Sequence, residues 1–212
     1  MAHVICVIRL GCIIAIAVSQ ASCERPPTPP PAAKDLPSAK VKETSAPARI
    51  PMDEQEVMAA LAAQGAQALP GLSTTADLHH GATWYQGNIP AEGSAAYLYL
   101  GKLGEGAATL RFVVRHEGPR AANFGNCTVL VDAVEAGSFS PSPNKFENLP
   151  GGNVMQLADI HFDDVRPVVL AMINGQSAVV RTADGAEIRL SRSELDEMRR
   201  VLSAYLHLQG QP

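Results

Sequence analysis

Eight prolines crowd the stretch from residue 26 to residue 51, and this stretch divides the 212-residue chain into two unequal parts. Half of the chain's 16 prolines lie here, with Ala, Lys, Ser and Thr between them and almost no large apolar side chain. Such a segment buries too little apolar surface to offset the entropy of ordering it, and proline biases it toward extended polyproline geometry. We therefore expect a spacer, with a reach of up to about 80 Å at about 3.1 Å per residue.

The residues before the spacer form the pattern of an export signal. Arg9 is the only charged side chain ahead of the apolar run "LGCIIAIAV", and the small residues of "SQASC" follow it. Nine helical residues span about 14 Å, roughly half the hydrocarbon core of a bilayer, so this run is too short for an ordinary transmembrane helix. A basic start, an apolar run and a small-residue end predict a signal peptide over residues 1–22.

The end of this signal resembles the lipobox of bacterial lipoproteins, because Ala21 and Ser22 stand directly before Cys23. The resemblance covers about 23 residues and implies cleavage before Cys23, a diacylated Cys23 thiol and an acylated amino terminus. An aspartate after the cysteine is the inner-membrane signal of that family, so Glu24 implies the outer membrane, facing the periplasm. Two alternatives stay open: plain export with cleavage after Ala21, and an uncleaved anchor.

The domain organisation follows from these segments. Residues 1–22 are the signal, residues 23–51 are the lipidated cysteine with the proline-rich linker, and residues 52–212 are a single globular domain. This domain contains 11 Lys and Arg residues against 18 Asp and Glu residues, a net charge of −7. Because an acidic surface gains nothing by neutralising phosphates, nucleic acid is excluded as an expected partner.

Two helices are predicted at the ends of the domain. Asp53 is a suitable N-cap for the run "MDEQEVMAALAAQGAQAL", and Pro70–Gly71 ends it. Since its apolar side is mostly alanine, we expect light packing at the edge of the domain. Ser191 and Glu194 form a capping box ahead of the second helix, whose apolar residues repeat at helical spacing.

The residues between these helices are predicted to be strands. "SAAYLYLGK", "ATLRFVVRH", "CTVLVDAVE" and "NVMQLADIHF" are rich in β-branched and aromatic residues. The run "PVVLAMINGQSAVVRTADGAEIRL" predicts three strands joined by tight hairpins at Asn174–Gly175 and Asp184–Gly185. We therefore predict an α+β fold, with an antiparallel sheet of six or seven strands and one helix at each end. Residues 137–152 are expected to form a long connection without a strand.

Asp159, His161 and Asp163 occupy alternate positions of "DIHFDD" and are predicted to share one face of a strand. Carboxylates and an imidazole on one face are weak candidates for a divalent metal site. A solvated strand face above buried Ile160 and Phe162 explains the same alternation.

A second polar set lies in "ADLHHG", where Asp77, His79 and His80 form either a metal-binding turn or an ordinary polar loop. Cys127 is the one cysteine left after the signal and Cys23, and its strand-like surroundings predict a buried, inert thiol. The nucleophile motif G-x-S-x-G and the zinc motif H-E-x-x-H do not occur in the sequence, so no catalytic residue is proposed.

Aromatic residues supply the binding candidates. Trp84 and Tyr85 are adjacent in "TWYQG", so on a strand one ring faces the core and the other the surface, with Trp84 in the core as the competing interpretation. In the connection 137–152, Phe139 and Phe146 either dock to a partner or fold back onto the domain. The binding candidates of this connection are Phe139, Lys145, Phe146 and Asn148.

These features predict a lipid-anchored protein of the bacterial envelope whose domain binds a partner rather than catalysing a reaction. We expect a membrane contact through the lipid, an envelope protein or a glycan as partner, and no cofactor. Two further classes stay open: a periplasmic inhibitor or immunity protein against a toxin or cell-wall hydrolase, and a metal-dependent hydrolase. A cationic partner would complement the acidic domain.

Overall fold

A computed structural model gives the structure of the protein and describes residues 53–210. The predicted signal, Cys23 and the proline-rich linker lie outside the described residues. The helices are α1 (Glu54–Ala68), α2 (Phe162–Ile173) and α3 (Arg192–Gln209). The strands are β1 (Ser73–Asp77), β2 (Ala82–Gln86), β3 (Ala95–Leu103), β4 (Ala108–Gly118), β5 (Cys127–Val131), β6 (Val134–Phe139), β7 (Lys145–Asn148), β8 (Val154–His161), β9 (Ala178–Arg181) and β10 (Glu187–Leu190).

The strands form two antiparallel sheets. The larger sheet has the order β1-β2-β3-β4-β8-β7, and the smaller has the order β10-β9-β5-β6. The predicted α+β class, with a helix near each end of the domain, is confirmed. The structure differs in detail, because ten strands in two sheets and a third helix replace the expected single sheet of six or seven strands.

The helices cover one face of the larger sheet, which we call its inner face. Residues Leu98, Leu100 and Phe112 point to this face and are fully buried. The apolar stripe of α3 packs on β3 and β4, while α2 contacts strands of both sheets. One continuous core therefore joins the two sheets through α2 and α3.

The helix α2 overturns one prediction. The run "PVVLAMI" was expected to be a strand, but it is the body of α2, and Asn174 is the helix C-cap rather than a hairpin residue. A short continuous apolar run does not distinguish a buried strand from a buried helix. The second predicted hairpin is confirmed, because β9 and β10 pair across Asp184–Gly185.

The N-terminal helix begins where the sequence predicts. The carboxylate of Asp53 accepts a hydrogen bond from the backbone N–H of Gln55 at 2.9 Å, and a short 3₁₀ turn at Leu69–Gly71 follows the helix. The expectation of light packing is wrong, because α1 lies along α3 and Gly65 of α1 contacts the backbone of Ser203. Close helix packing depends here on small side chains.

The segment 137–152 also differs from its prediction. The strand β6 continues to Phe139, and β7 pairs with β8 in the register Lys145↔Leu157 and Asn148↔Val154. A free edge of the larger sheet supplies the hydrogen-bonding partner, so a strand forms without a recognisable pattern of its own. Between residues 53 and 210, no helix has the length and apolar character needed to cross a bilayer.

Candidate binding cleft

A cleft of about 300 Å³ opens where β6 and β8 end and α2 begins. We call it the junction cleft. The residues that define it come from all three elements and the turn after β6: Phe139, Pro141, Asp159, His161, Asp164 and Val165. Its volume lies at the lower end of the range for small-ligand sites, and apolar walls with a few polar groups are typical of such sites.

The apolar wall of the junction cleft is formed by packed side chains. Phe139 is partly buried, and its ring meets the ring of Phe112 edge to face, with centroids 5.8 Å apart. Val165 is buried beneath the cleft. Of the two alternatives for Phe139, folding back onto the domain is therefore the one observed, and the ring still borders the opening.

A polar network holds Asp159 at the cleft. Its Oδ1 accepts a hydrogen bond from Arg111 Nε at 2.8 Å, and its Oδ2 accepts one from the hydroxyl of Tyr99 at 2.7 Å. The guanidinium of Arg111 also donates to the backbone oxygen of Asp159 at 3.0 Å. Burial, followed by the Asp159 carboxylate, raises the pKa of the Tyr99 hydroxyl. These hydrogen bonds orient the Asp159 carboxylate, and the positive charge of Arg111 compensates its negative charge.

The exposed polar residues of the cleft are Ser140, Ser142, His161 and Asp164, and the two that can carry a charge are His161 and Asp164. His161 is the N-cap residue of α2 without a side-chain capping bond, and Asp164 lies in the first helical turn. Since Arg111 compensates Asp159, Asp164 is the carboxylate that leaves the cleft net negative. One imidazole and one carboxylate beside an apolar wall suit a basic side chain with an apolar neighbour.

The predicted metal face is not present as proposed. Asp159 and His161 do lie on one face of β8, but the strand ends at His161 and Asp163 belongs to α2. Asp163 there pairs with Arg166. In the part of the chain that the structure describes, no group of three His, Cys, Asp or Glu residues is placed to hold a metal ion.

The second polar set forms a turn between β1 and β2. The carboxylate of Asp77 accepts hydrogen bonds from the backbone N–H groups of His79 and His80 and lies 2.8 Å from His80 Nδ1. The hydrogen bond to the His80 side chain is the main cause that lowers the pKa of Asp77. This geometry is that of an ordinary polar loop.

Trp84 and Tyr85 point to opposite faces of β2, as expected. Tyr85 packs against the core, and Trp84 lies on the outer face, 37% exposed. The interpretation that placed Trp84 in the core is therefore wrong. Its ring lies over Gly101 and stands 5.7 Å from the ring of Tyr99.

The remaining binding candidates lie on β7, outside the junction cleft. Phe146 is 58% exposed, and Lys145 Nζ stands 3.2 Å from a carboxylate oxygen of Glu147. Asn148 is exposed at the end of the strand. Because Lys145 pairs with Leu157, two residues before Asp159, this edge adjoins the cleft.

Sequence reasoning missed Asp164 in the cleft lining, and Tyr99 and Arg111, which bind the Asp159 carboxylate. Tyr99 and Arg111 are directly opposite each other on β3 and β4, and Asp159 lies on β8 beyond Arg111. The run "ATLRFVVRH" predicts a strand that contains Arg111, but only the strand register identifies the partners of Arg111. Asp164 carried no signal of its own.

Cys127 agrees with its predicted role as a buried thiol. It is fully buried and free, and burial raises the pKa of its thiol to about 11. A thiol with such a pKa stays protonated at neutral pH and is a poor nucleophile.

Comparisons with protein-family models, with curated proteins and with solved structures find no match to this chain.

Proposed function

We propose that the chain is a lipoprotein of the bacterial envelope, anchored through Cys23, whose domain binds a partner protein at the junction cleft without catalysing a reaction. The observation that carries this proposal is the cleft itself, which joins an apolar wall at Phe139 to His161 and Asp164. The lipobox-like end of the signal and the proline-rich spacer support the anchor. Glu24 favours the outer membrane, with the domain in the periplasm.

The expected partner presents a basic side chain beside an apolar one. Asp164 leaves the cleft net negative, and residues 52–212 have a net charge of −7, so both near and distant charges attract a cationic surface. Charge complementarity of this kind raises the association rate and excludes acidic partners. A glycan without positive charge would gain nothing from it.

The same acidity favours a second candidate function, that of a periplasmic inhibitor or immunity protein. A cationic toxin or cell-wall hydrolase would present the required basic surface. The two functions differ in the identity of the partner, which is a resident envelope protein in the first and a lytic enzyme in the second. Protection of cells, or inhibition of the captured enzyme, would select the second.

A capture experiment with the full chain tests the cleft. Membranes from cells that produce the tagged protein are cross-linked, and the captured partner is identified and then titrated. Asp164→Asn should weaken binding about 3- to 10-fold, the size of a change at one interfacial charge. Asp163→Asn is the matched control, since it removes the same charge one residue away, outside the cleft lining.

Equal affinity for wild type and Asp164→Asn would contradict binding at the cleft. Stoichiometric zinc, manganese or calcium in the purified protein, lost on joint change of Asp159 and His161, would instead favour the metal-dependent hydrolase.

The anchor is tested separately. Cys23→Ala should abolish acylation, which is measured by mass spectrometry, and release the protein from membranes after mild extraction. A wild-type protein without lipid, together with a membrane-bound Cys23→Ala variant, would show that lipoprotein processing does not occur.

A further inference from the structure

Two hairpin tips stand side by side at one end of the larger sheet. The turn between β1 and β2 touches the turn between β3 and β4, because Gly104 N–H donates to the carbonyl oxygen of Gly81 at 3.1 Å. Each tip carries an exposed leucine: Leu78 is 91% exposed and Leu103 is 61% exposed. We call Leu78 and Leu103 the apolar tip.

The turn that carries Leu78 is held in place by its own hydrogen bonds. The three bonds to the Asp77 carboxylate, from His79 and His80, close the chain around Leu78. The leucine is therefore presented outward by an ordered turn. A single exposed leucine needs no explanation, but two leucines on adjacent turns that are joined by a hydrogen bond form a small exposed apolar patch.

Trp84 borders the apolar tip on the outer face of the sheet. Ala82 pairs with Leu103 and Trp84 pairs with Gly101, so Trp84 and Leu103 lie on the same face, two positions apart along the sheet. An indole ring beside exposed leucines is the arrangement found at membrane–water interfaces, where one part of the ring is apolar and the other is wet.

The chain enters the described domain at this same end. Gln209, the last residue of α3, donates a side-chain hydrogen bond to the carbonyl oxygen of Ala108, the first residue of β4 after the tip. Gly65 lies against Ser203 and Gly71 against Arg200, so α1 runs antiparallel to α3.

The start of α1 therefore lies near the C-terminal end of α3. Its first residue, Glu54, pairs with Arg166 at 3.8 Å, in the helix that follows the end of β8. His161 at that end pairs with Arg111, three residues into β4. The segment that leads back to Cys23 thus joins the domain on the side of the apolar tip.

Charge near the tip does not favour an electrostatic contact. Lys102 and Glu105 flank Leu103 with opposite charges, and Asp77 is engaged by His80. Docking here would depend on burial of apolar side chains, and apolar side chains beside an indole ring suit the headgroup–acyl boundary of a bilayer.

We propose that the apolar tip docks into the headgroup–acyl boundary of a phospholipid bilayer, with Trp84 at the interface. The contact orients the domain on the membrane. It rests on the proposed lipid anchor, because two leucines alone give weak binding. A tether of the proposed length raises the effective concentration of the membrane enough to make a weak contact persist.

The experiment uses Trp84, which is the only tryptophan of the whole chain. The full chain is extracted from membranes and reconstituted into phosphatidylcholine vesicles whose acyl chains are brominated near the headgroup. Bromine quenches tryptophan at short range, so Trp84 emission should fall about twofold or more relative to plain vesicles. Leu78→Ser combined with Leu103→Ser should restore most of the emission.

Phe146→Ser is the control, because it removes an apolar side chain about as exposed as Leu103 from the opposite edge of the sheet. It should leave the quenching unchanged. Among chains that float with the vesicles, equal emission in brominated and plain vesicles would overturn the proposal, as would quenching that survives the double leucine change. A wild-type chain that does not float would overturn the anchor through Cys23, on which this proposal rests. None of these outcomes depends on a protein partner, so the proposal fails or stands apart from binding at the cleft.

Discussion

Gly65 of α1 lies so close to Ser203 of α3 that a Cβ at position 65 would stand 2.3 Å from the Ser203 carbonyl oxygen. The same Cβ would meet the Cβ of His207 at 2.3 Å. On the side of Ser203 the obstacle is a backbone atom, which cannot move aside as the end of a flexible side chain can. The contact between the first and last helices of the domain therefore requires glycine at this position.

Gly65→Ala should reverse the usual sign of a glycine change in a helix. In an isolated helix alanine gains about 1 kcal/mol over glycine, but here we expect the free energy of unfolding to fall by about 2 kcal/mol because the helices must separate. Urea unfolding measures the change. Gln64→Ala, at the exposed neighbouring position, should stay within about 0.5 kcal/mol. A stabilised Gly65→Ala variant would show that the helices are not in backbone contact.

Gly101→Ala should displace the indole ring of Trp84. A Cβ at position 101 would stand 2.4 Å from the ring, so the ring must leave its place over β3. We expect a red shift of tryptophan emission and a loss of about 1–3 kcal/mol in stability. Gly71→Ala is the control, because its Cβ would meet the Arg200 side chain at an ordinary distance of 3.4 Å, and it should leave the emission unchanged. An unshifted spectrum for Gly101→Ala would contradict the stacked geometry.

The raised pKa of the Tyr99 hydroxyl should make the protein less stable at alkaline pH than at neutral pH. Its pKa is raised in the folded state by burial and by Asp159, so folding favours the protonated hydroxyl. The contribution is complete below the ordinary pKa of about 10 and is lost as the pH rises above it, because the unfolded state releases its proton first. Since Tyr99 is partly exposed, the loss should be less than about 1 kcal/mol per pH unit.

Unfolding of wild type and Tyr99→Phe at pH 9 and pH 11 isolates this contribution. The stability advantage of wild type should shrink between the two values. Tyr97 also has a raised pKa, caused mainly by burial. Because Tyr97 is present in both proteins, its contribution to the pH dependence cancels in the comparison. A constant difference across the pH range would mean that the folded hydroxyl ionises normally.

Phe146→Ala should affect binding more than folding. Its ring is 58% exposed on β7, so we expect the free energy of unfolding to change by less than about 1 kcal/mol. A partner that covers the junction cleft also reaches this edge, and truncating an aromatic anchor should weaken it by about 1–3 kcal/mol. Melting temperature and partner affinity are measured on the same variant. A lower melting temperature with unchanged affinity would refute the binding role of Phe146.

The sequence by itself determined the features that depend on neighbouring residues. The Ser191 hydroxyl accepts from the Glu194 N–H, and the Glu194 carboxylate accepts from the Ser191 N–H at 2.7 Å, as the capping box predicts. Asp184–Gly185 closes the β9–β10 hairpin because Gly185 adopts a φ of 87°. The buried thiol of Cys127 followed from the apolar strand around it. In each case the controlling interaction lies within a few residues of the signal.

Only the tertiary structure decided the nature of α2, the strand β7 and the composition of the cleft. The apolar run of α2 is helical because it fills the space between two sheets, which its sequence period does not reveal. β7 exists because β8 offers a free edge. Asp159 meets Arg111 and Tyr99 through the register of three strands that lie up to 60 residues apart in the chain. Pairings at such separations depend on how the whole chain packs, and no local pattern encodes them.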